Sequence, residues 1–165
     1  EDYSLVVGLR NSHNKSFPAG IALGASVFVC DNLSFSGEVS LARRHTRFIQ
    51  RDLPRVVSTV VGRLTNMRQK QDERIAAYKG VEVDDTKAHD LMIRAVDARV
   101  LPITKVPTML KEWREPGHEE FAENGKTAWR FFNAATEALK GNLPMLPART
   151  QALHGLLDAE CGLAV

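Results

Sequence analysis

Cysteine is scarce in this chain, and its spacing excludes the common cysteine-based functions. Cys30 and Cys161 are the two cysteines among 165 residues, and they form no Cys-x-x-Cys pair. Two cysteines so far apart make neither a disulfide framework nor a thiol–disulfide redox motif, although a single bridge between them stays open. We expect both to be reduced thiols, buried or half-buried, in a reducing cytosol.

Metal-ligand spacings and long apolar runs are also absent. The five histidines show neither a His-Glu-x-x-His motif nor a paired spacing, so we predict no metal and no cofactor. The most apolar stretch, residues 19–30, is interrupted by glycine. It is shorter than the roughly 18–20 residues that span a bilayer, so we predict no membrane partner.

Signatures of catalysis are missing as well. No serine, cysteine or histidine lies in a recognisable nucleophile motif. The sequence "NGKT" at residues 124–127 is similar to the end of a phosphate-binding loop, but Glu120 stands where that loop requires glycine. The catalytic residues of any enzymatic activity therefore stay unknown.

Charge is nearly balanced overall but concentrated locally. The chain has 22 Lys and Arg against 20 Asp and Glu, a net charge of +2. Residues 43–55 alone hold five arginines against one aspartate, a local charge of +4. The distribution of charge along the chain says more about binding partners than the net charge does.

The first third of the sequence predicts β-strands. Residues 3–11 and 19–30 are rich in apolar side chains and are separated by a polar, turn-like segment. Residues 38–44 follow a second turn and alternate between apolar and polar side chains. The simplest arrangement is an antiparallel β-meander of about three strands.

From Arg47 onward the apolar spacing is that of helices. Apolar residues recur at three- and four-residue steps from Ile49 to Met67, which predicts one long helix with a buried face. Because Pro54 disfavours helical geometry before it, we expect this helix to begin near Asp52, its N-cap, and to run to about Tyr78. Shorter helices are predicted over residues 84–100, 105–115, 127–141 and 147–162.

Strands followed by helices predict an α+β fold in one domain, residues 1–165. Because the sequence begins at Glu1 without a methionine, we expect it to be a fragment that lacks the N-terminal part of a longer protein. Part of the long helix also fits a short heptad pattern suited to contact between copies in a homo-oligomer. The residues of this pattern are Leu53, Val57, Val60, Leu64 and Met67.

The arginines of residues 43–55 are the leading candidate site. On a helix that turns about 100° per residue, four of them fall within roughly 80° of one another, opposite the apolar face. They are either the solvated side of an amphipathic helix or a row of guanidinium groups that contact nucleic-acid phosphates with little sequence preference. Arginines at a helix start oppose the macrodipole unless an anion offsets them, which favours the second interpretation. The predicted nucleic-acid-binding residues are Arg43, Arg44, His45, Arg47, Arg51 and Arg55.

A polar site is the second candidate. Asp31, Asn32 and His45 combine acid, amide and imidazole groups around a strand–turn–helix junction, which suits an enzyme acting on a nucleotide or phosphorylated substrate. Trp129 and Asn133 lie one turn apart, a spacing that serves either base stacking or an ordinary core. The residues of this polar site are Asn11, Ser12, Asp31, Asn32, Thr46 and Asn133, with Thr46 also placed to cap the turn before the helix.

Three separated sequence blocks carry a family resemblance. They are "GLRNSHNKSFPAGIALGASVFVCDNLSFSGEV", "RHT" and "WRFFNAATEALKG", in that order. With them the chain resembles, over nearly its whole length, the phage- and plasmid-associated proteins grouped as domain of unknown function 932. The resemblance implies a bacterial mobile element and a cytoplasmic location, and it brings no catalytic residues.

The function expected from these observations is non-enzymatic nucleic-acid binding, with single-stranded DNA as one ligand. A β-meander followed by a long helix is similar in outline to phage single-strand annealing proteins, which is an analogy of fold alone. Two alternatives stay open. One is an enzyme acting on a nucleotide or phosphorylated substrate, and the other is a protein-interaction module that acts on a host factor.

Overall fold

The computed structural model describes residues 3–14, 18–27, 33–34, 40–44, 46–142 and 144–163. Within these residues an N-terminal antiparallel sheet is followed by seven α-helices, so the predicted α+β class is confirmed. The strands are β1 (Tyr3–Arg10), β2 (Ala19–Val27), β3 (Leu33–Ser34) and β4 (Ser40–Arg43). The helices are α1 (Ile49–Gly62), α2 (Leu64–Gly80), α3 (Asp85–Asp97), α4 (Val106–Arg114), α5 (Glu119–Glu123), α6 (Ala128–Leu139) and α7 (Leu146–Glu160).

The sheet has three positions with β2 at its centre. β1 pairs antiparallel with the full length of β2, from Tyr3 opposite Val27 to Arg10 opposite Gly20. The short strands β3 and β4 both pair with the other edge of β2, β3 at one end and β4 at the other. They therefore share the third position of the predicted meander, one after the other along the same edge.

Two apolar cores lie along α2, the smaller at its N-terminal half and the larger at its C-terminal half. In the smaller core, Ile21 and Leu23 of β2 pack against Val56 and Val60 of α1 and Met67 of α2. The larger core surrounds α6, which contacts α2, α4, α5 and α7 and is buried at almost every position. The helical half of the chain is thus built around one central helix, and the sheet contacts α1, α2 and α7.

The segment predicted as one long helix is two consecutive helices. α1 begins at Ile49, three residues before the expected N-cap Asp52, and Pro54 lies inside it. α1 ends at Gly62, where the Arg63 amide donates to the Val60 carbonyl at 3.0 Å and closes a tighter turn. Glycine has a low helix propensity, which accounts for the break at this position. α5 was not predicted, because its five residues are too few to show a helical period.

The predicted heptad pattern is also divided by the fold. Val60 and Met67 are buried in the chain's own smaller core, and Leu64 is half-buried against it. Leu53 and Val57 are exposed on α1. Among the described residues, no helix has the length and apolar character to cross a membrane.

Candidate nucleic-acid interface

The junction between β4 and α1 holds the arginine-rich segment. β4 ends at Arg43, Arg44 follows it, and a turn leads into α1. Thr46 closes that turn, because its Oγ1 accepts from the Phe48 amide at 3.3 Å and its carbonyl accepts from the Ile49 amide at 3.1 Å. This is the capping role that the sequence indicated for Thr46. His45 lies outside the described residues.

The arginines surround the start of α1 rather than forming one helical row. Because α1 begins at Ile49, only Arg51 and Arg55 belong to it. Arg55 and Arg43 line an open groove of about 510 Å³ between α1 and the end of β4. The remaining lining residues are Ala42, Val56 and Thr59. The groove therefore has a guanidinium group on each of the two elements that form it.

Phe48 adds an aromatic ring to this basic surface. Its side chain is 44% exposed. The guanidinium carbon of Arg47 lies 4.6 Å from the ring centroid, and that of Arg51 lies 4.8 Å from it. Both distances are within the range of cation–π contacts. Phe48 was not among the residues predicted from the sequence, although an aromatic residue placed between arginines is itself a signal of nucleic-acid binding.

The positive charge of this surface is mostly uncompensated. Arg51 Nε lies 3.3 Å from Asp52 Oδ1, and the Arg51 side chain is 73% exposed, so the pair contributes little to stability. Within the part of the chain that the structure describes, none of the other arginines of this group has a carboxylate in ion-pair range. We call this surface the arginine junction. It comprises Arg43, Arg44, Arg47, Phe48, Arg51 and Arg55.

The structure describes part of the predicted polar site, namely Asn11, Ser12, Thr46 and Asn133. Asn11 is exposed and Ser12 half-buried, just after the end of β1 that lies beside Gly20. Asp31 and Asn32 lie outside the described residues, as does Cys30. Asn133 is buried in α6, where its Nδ2 donates to the Trp129 carbonyl at 2.9 Å.

The side chain of Asn133 is therefore buried, and its assignment to a polar site stays a prediction. Trp129 is buried as well and stacks on Phe132 with 5.5 Å between ring centroids. Trp129 faces the apolar core around α6 and is not available to a base. Asn133 is buried too, and it lines a cavity of about 10 Å³ together with Arg130 and Glu137.

A buried polar cluster that the sequence did not predict joins α2 to α7. Asp158 accepts from Arg74 Nε at 2.9 Å and from Arg74 Nη2 at 2.8 Å, which makes a bidentate ion pair. The Tyr78 hydroxyl donates to Asp158 Oδ1 at 2.6 Å and lies 3.2 Å from His154 Nδ1. Since the Tyr78 proton points to Asp158, this geometry favours the imidazole tautomer that carries its proton on Nδ1.

The protonation states of this cluster follow from its burial. Burial raises the pKa of Tyr78 far above its usual value, and the neighbouring Asp158 carboxylate adds to the effect. Burial, with the positive charge of Arg74, lowers the pKa of His154 to about 3. Burial alone would raise the pKa of Asp158, but the hydrogen bonds from Arg74 and Tyr78 outweigh it and hold that pKa below its usual range. The cluster is thus a neutral tyrosine and histidine beside one ion pair.

The space beside this cluster is too small for a substrate. A cavity of about 10 Å³ lies between the sheet, α2, α6 and α7, with Gln71, Phe132 and His154 among its lining residues. One water needs roughly 10–15 Å³ on this measure. His154 Nε2 has no hydrogen-bond partner among the described residues, so one water is the most that the cavity offers it. We interpret the cluster as a structural link between helices.

Metal ligation has no candidate in the described part of the chain. Among those residues, no group of three or more His, Cys, Asp or Glu side chains is arranged to hold an ion. Cys161 is a free, half-buried thiol whose pKa is raised by burial. Burial thus favours the protonated thiol over the reactive thiolate.

These features define an α+β protein with a basic, aromatic-containing junction between its sheet and its helices. Residues 3–155 match the family described as Domain of unknown function (DUF932), and the chain belongs to that family. No curated protein and no solved structure matches the chain. The family description assigns no activity, so the function has to be argued from the geometry.

Proposed function

We propose that this protein binds nucleic acid, preferably single-stranded DNA, through the arginine junction. The observation that carries the proposal is the exposed Phe48 ring between the guanidinium groups of Arg47 and Arg51, beside a groove lined by Arg43 and Arg55. One surface would then bind both the phosphates, through the guanidinium groups, and a base, through the aromatic ring. No other surface of the described residues combines an exposed aromatic ring with this many cations.

Guanidinium groups on both sides of the groove suit a phosphate backbone. The planar guanidinium donates to phosphate oxygens in a bidentate geometry and stays charged at any physiological pH. Each phosphate contact releases counterions, so binding through several arginines weakens steeply with salt and depends little on sequence. The absence of carboxylate partners for Arg43 and Arg55 among the described residues leaves both groups free to make such contacts.

The aromatic ring favours a single strand over a duplex. A base stacks on an aromatic side chain only when the face of the base is accessible. In a duplex the neighbouring base pairs cover that face. A base that stacks beside Phe48 would also contact the guanidinium planes of Arg47 and Arg51, which themselves stack on aromatic faces. Such stacking contributes roughly 1–3 kcal/mol per base.

Fluorescence anisotropy with a labelled single strand and the matching duplex, at about 50 and 200 mM salt, tests the proposal. We expect tighter binding to the single strand. The double variant Arg43→Gln/Arg55→Gln should weaken binding and reduce the slope of log K against log salt by about 1.4, since each phosphate contact on a single strand contributes about 0.7. Phe48→Leu should weaken single-strand binding by about 5- to 150-fold and leave the salt slope unchanged.

The matched control removes the same charge from a different surface. Lys111 and Arg114 are both exposed on α4, so Lys111→Gln/Arg114→Gln lowers the net charge equally. This control should bind as the unmodified chain does. Absence of binding at low salt, or an equal loss in the control, would contradict the proposal.

The biological setting is a finer part of the same proposal. We place the binding activity in the DNA metabolism of a phage or plasmid, in the bacterial cytoplasm, as the family resemblance suggests. Binding with little sequence preference suits proteins that act on any stretch of an exposed strand. The enzymatic alternative stays a prediction, because Asp31, Asn32 and His45 all lie outside the described residues. The host-factor alternative also stays a prediction.

A further inference from the structure

Within the part of the chain that the structure describes, β1 is an edge strand with no protection against pairing. Its full length, Tyr3–Arg10, pairs with β2, and none of the described residues pairs with its other edge. Soluble proteins usually guard such an edge with lysine, proline or a bulge. From Tyr3 to Leu9 the strand contains no charged residue and no proline, and its pairing with β2 runs without a bulge. An edge of this kind is a template for another strand.

β1 also exposes apolar side chains on the face of the sheet that carries α1. Val7 lies opposite Leu23 and Leu9 lies opposite Ile21, and directly opposed residues share a face. Ile21 and Leu23 are covered by Val56 and Val60 of α1. Val7 and Leu9 are 57% and 79% exposed. α1 therefore covers β2 and leaves the adjoining part of β1 open.

The flank of α1 that faces β1 is apolar too. On one side of α1, Arg55 and Thr59 line the groove toward β4. β1 lies on the opposite side of β2, so the other flank of α1 faces β1. That flank carries Leu53, Val57 and Val61, each between 40% and 58% exposed and spaced one turn apart. We call the five exposed side chains Val7, Leu9, Leu53, Val57 and Val61 the apolar flank.

We propose that a second copy of this chain covers the apolar flank. The two β1 strands pair antiparallel about a twofold axis, and the α1 helices meet above the paired strands. A twofold contact requires a self-complementary surface, and an unguarded strand beside uncharged apolar side chains meets that requirement. The arginine junction lies on the other flank of α1, so the dimer leaves both copies of it open.

The surface area is compatible with such a dimer. The five side chains of the apolar flank are 40–79% exposed, which makes a patch on the order of 300–600 Å². A stable dimer buries about 800 Å² per partner. The eight paired residues of β1 supply the remaining area and the main-chain hydrogen bonds. The dimer does not rest on nucleic-acid binding, since it uses none of the arginine junction.

Sedimentation velocity across a range of protein concentrations tests the proposal. We expect a species of twice the 18.3 kDa chain mass at micromolar concentration. Val7→Lys introduces a charge at the strand edge, and Val61→Lys introduces one on the α1 flank. Each should shift the protein to a monomer, with at least a tenfold weaker dimer constant, while circular dichroism stays unchanged because both side chains are exposed.

The matched control is Ile93→Lys, which makes the same apolar-to-lysine change at an exposed residue of α3. It should leave the dimer constant unchanged. A monomer for the unmodified chain at high concentration, a dimer that survives both lysine variants, or an equal loss in the control would overturn the proposal. Single-strand binding by the Val7→Lys monomer shows separately whether the arginine junction works, so failure of one proposal does not imply failure of the other.

Discussion

Asp158 links two helices through contacts that the sequence alone does not reveal. It accepts from Arg74 and Tyr78, two residues of α2 that are about eighty positions earlier in the chain. A buried carboxylate without such partners would cost several kcal/mol. The bidentate pair and the tyrosine hydroxyl satisfy it, and the ring of His154 closes the cluster against Phe132 with 4.9 Å between centroids. The pairing of α2 with α7 depends on this group of side chains.

His154 makes the stability of the folded chain depend on pH. The unfolded chain takes up a proton near the ordinary pKa of 6.5, whereas the folded chain does so only near 3. The unfolded state therefore binds more protons between these values, and stability falls as the pH drops below about 6.5. Between pH 6.5 and 5 we expect a loss of about 2 kcal/mol, at about 1.4 kcal/mol per pH unit.

Urea denaturation followed by tryptophan fluorescence at pH 7.5, 6.5, 5.8 and 5 measures this slope. The variant His154→Phe, which cannot be protonated, should flatten the pH dependence in this window even if it lowers stability throughout. His89 is exposed on α3, so His89→Gln serves as the control and should keep the original slope. An unchanged slope in His154→Phe would show that another group is responsible.

The contacts of the Phe48 ring with Arg47 and Arg51 could not be predicted from any long-range sequence pattern. Its neighbours Arg47 and Arg51 are close in sequence, but their approach to its ring depends on where α1 begins. A helix start at Asp52, as the sequence predicted, would have left Phe48 in an irregular segment. The observed start at Ile49 fixes Phe48 as the N-cap residue and brings Arg51 into the first turn of the helix.

Among the secondary-structure elements, the break between α1 and α2 is the main departure from expectation. Hydrophobic periodicity runs through Gly62 without interruption, so the pattern alone predicts one helix. α1 packs on the sheet in the smaller core, and α2 continues from that core into the larger one. By contrast, Gly141 ends α6 as the sequence indicated, with a φ of 92° that favours glycine.

The two glycines predict opposite effects of alanine. At Gly62 an added Cβ meets no atom within 4 Å, so Gly62→Ala should stabilise the protein by about 0.5–1 kcal/mol through its effect on the unfolded chain. At Gly141 the positive φ makes alanine strained, so Gly141→Ala should destabilise it by roughly 1–2 kcal/mol. Thermal unfolding followed by circular dichroism compares the two directly. A destabilised Gly62→Ala variant would mean that the fold, not the glycine, imposes the break.

For the molecule as a whole, the relation between its two cores decides how it unfolds. The smaller core joins the sheet to α1 and to Met67 of α2, and the larger core surrounds α6. The hydroxyl of Tyr3 in β1 donates to Asp72 of α2 at 2.9 Å, which adds a polar link between sheet and helices. The single domain that the sequence predicts requires these links to make unfolding cooperative.

The positions of the tryptophans allow a direct test of that cooperativity. Trp113 and Trp129 both lie in the larger core, whereas Leu23 is 1% exposed in the smaller one. If the chain unfolds as one unit, Leu23→Ala should lower stability by about 2–5 kcal/mol as measured by tryptophan fluorescence in urea. An unchanged fluorescence midpoint, with a separate early transition in far-UV circular dichroism, would show that the sheet unfolds on its own.

The order of strands and helices, the end of α6 and the place where positive charge accumulates can be predicted from the amino-acid sequence alone. These features depend on propensity, on spacing and on residues that are neighbours along the chain. The covered flank of α1, the burial of Asn133 and the meeting of Arg74, Tyr78, His154 and Asp158 become visible only in the folded chain. Those outcomes depend on contacts between residues that are distant in sequence, and one sequence contains no local signal of such contacts.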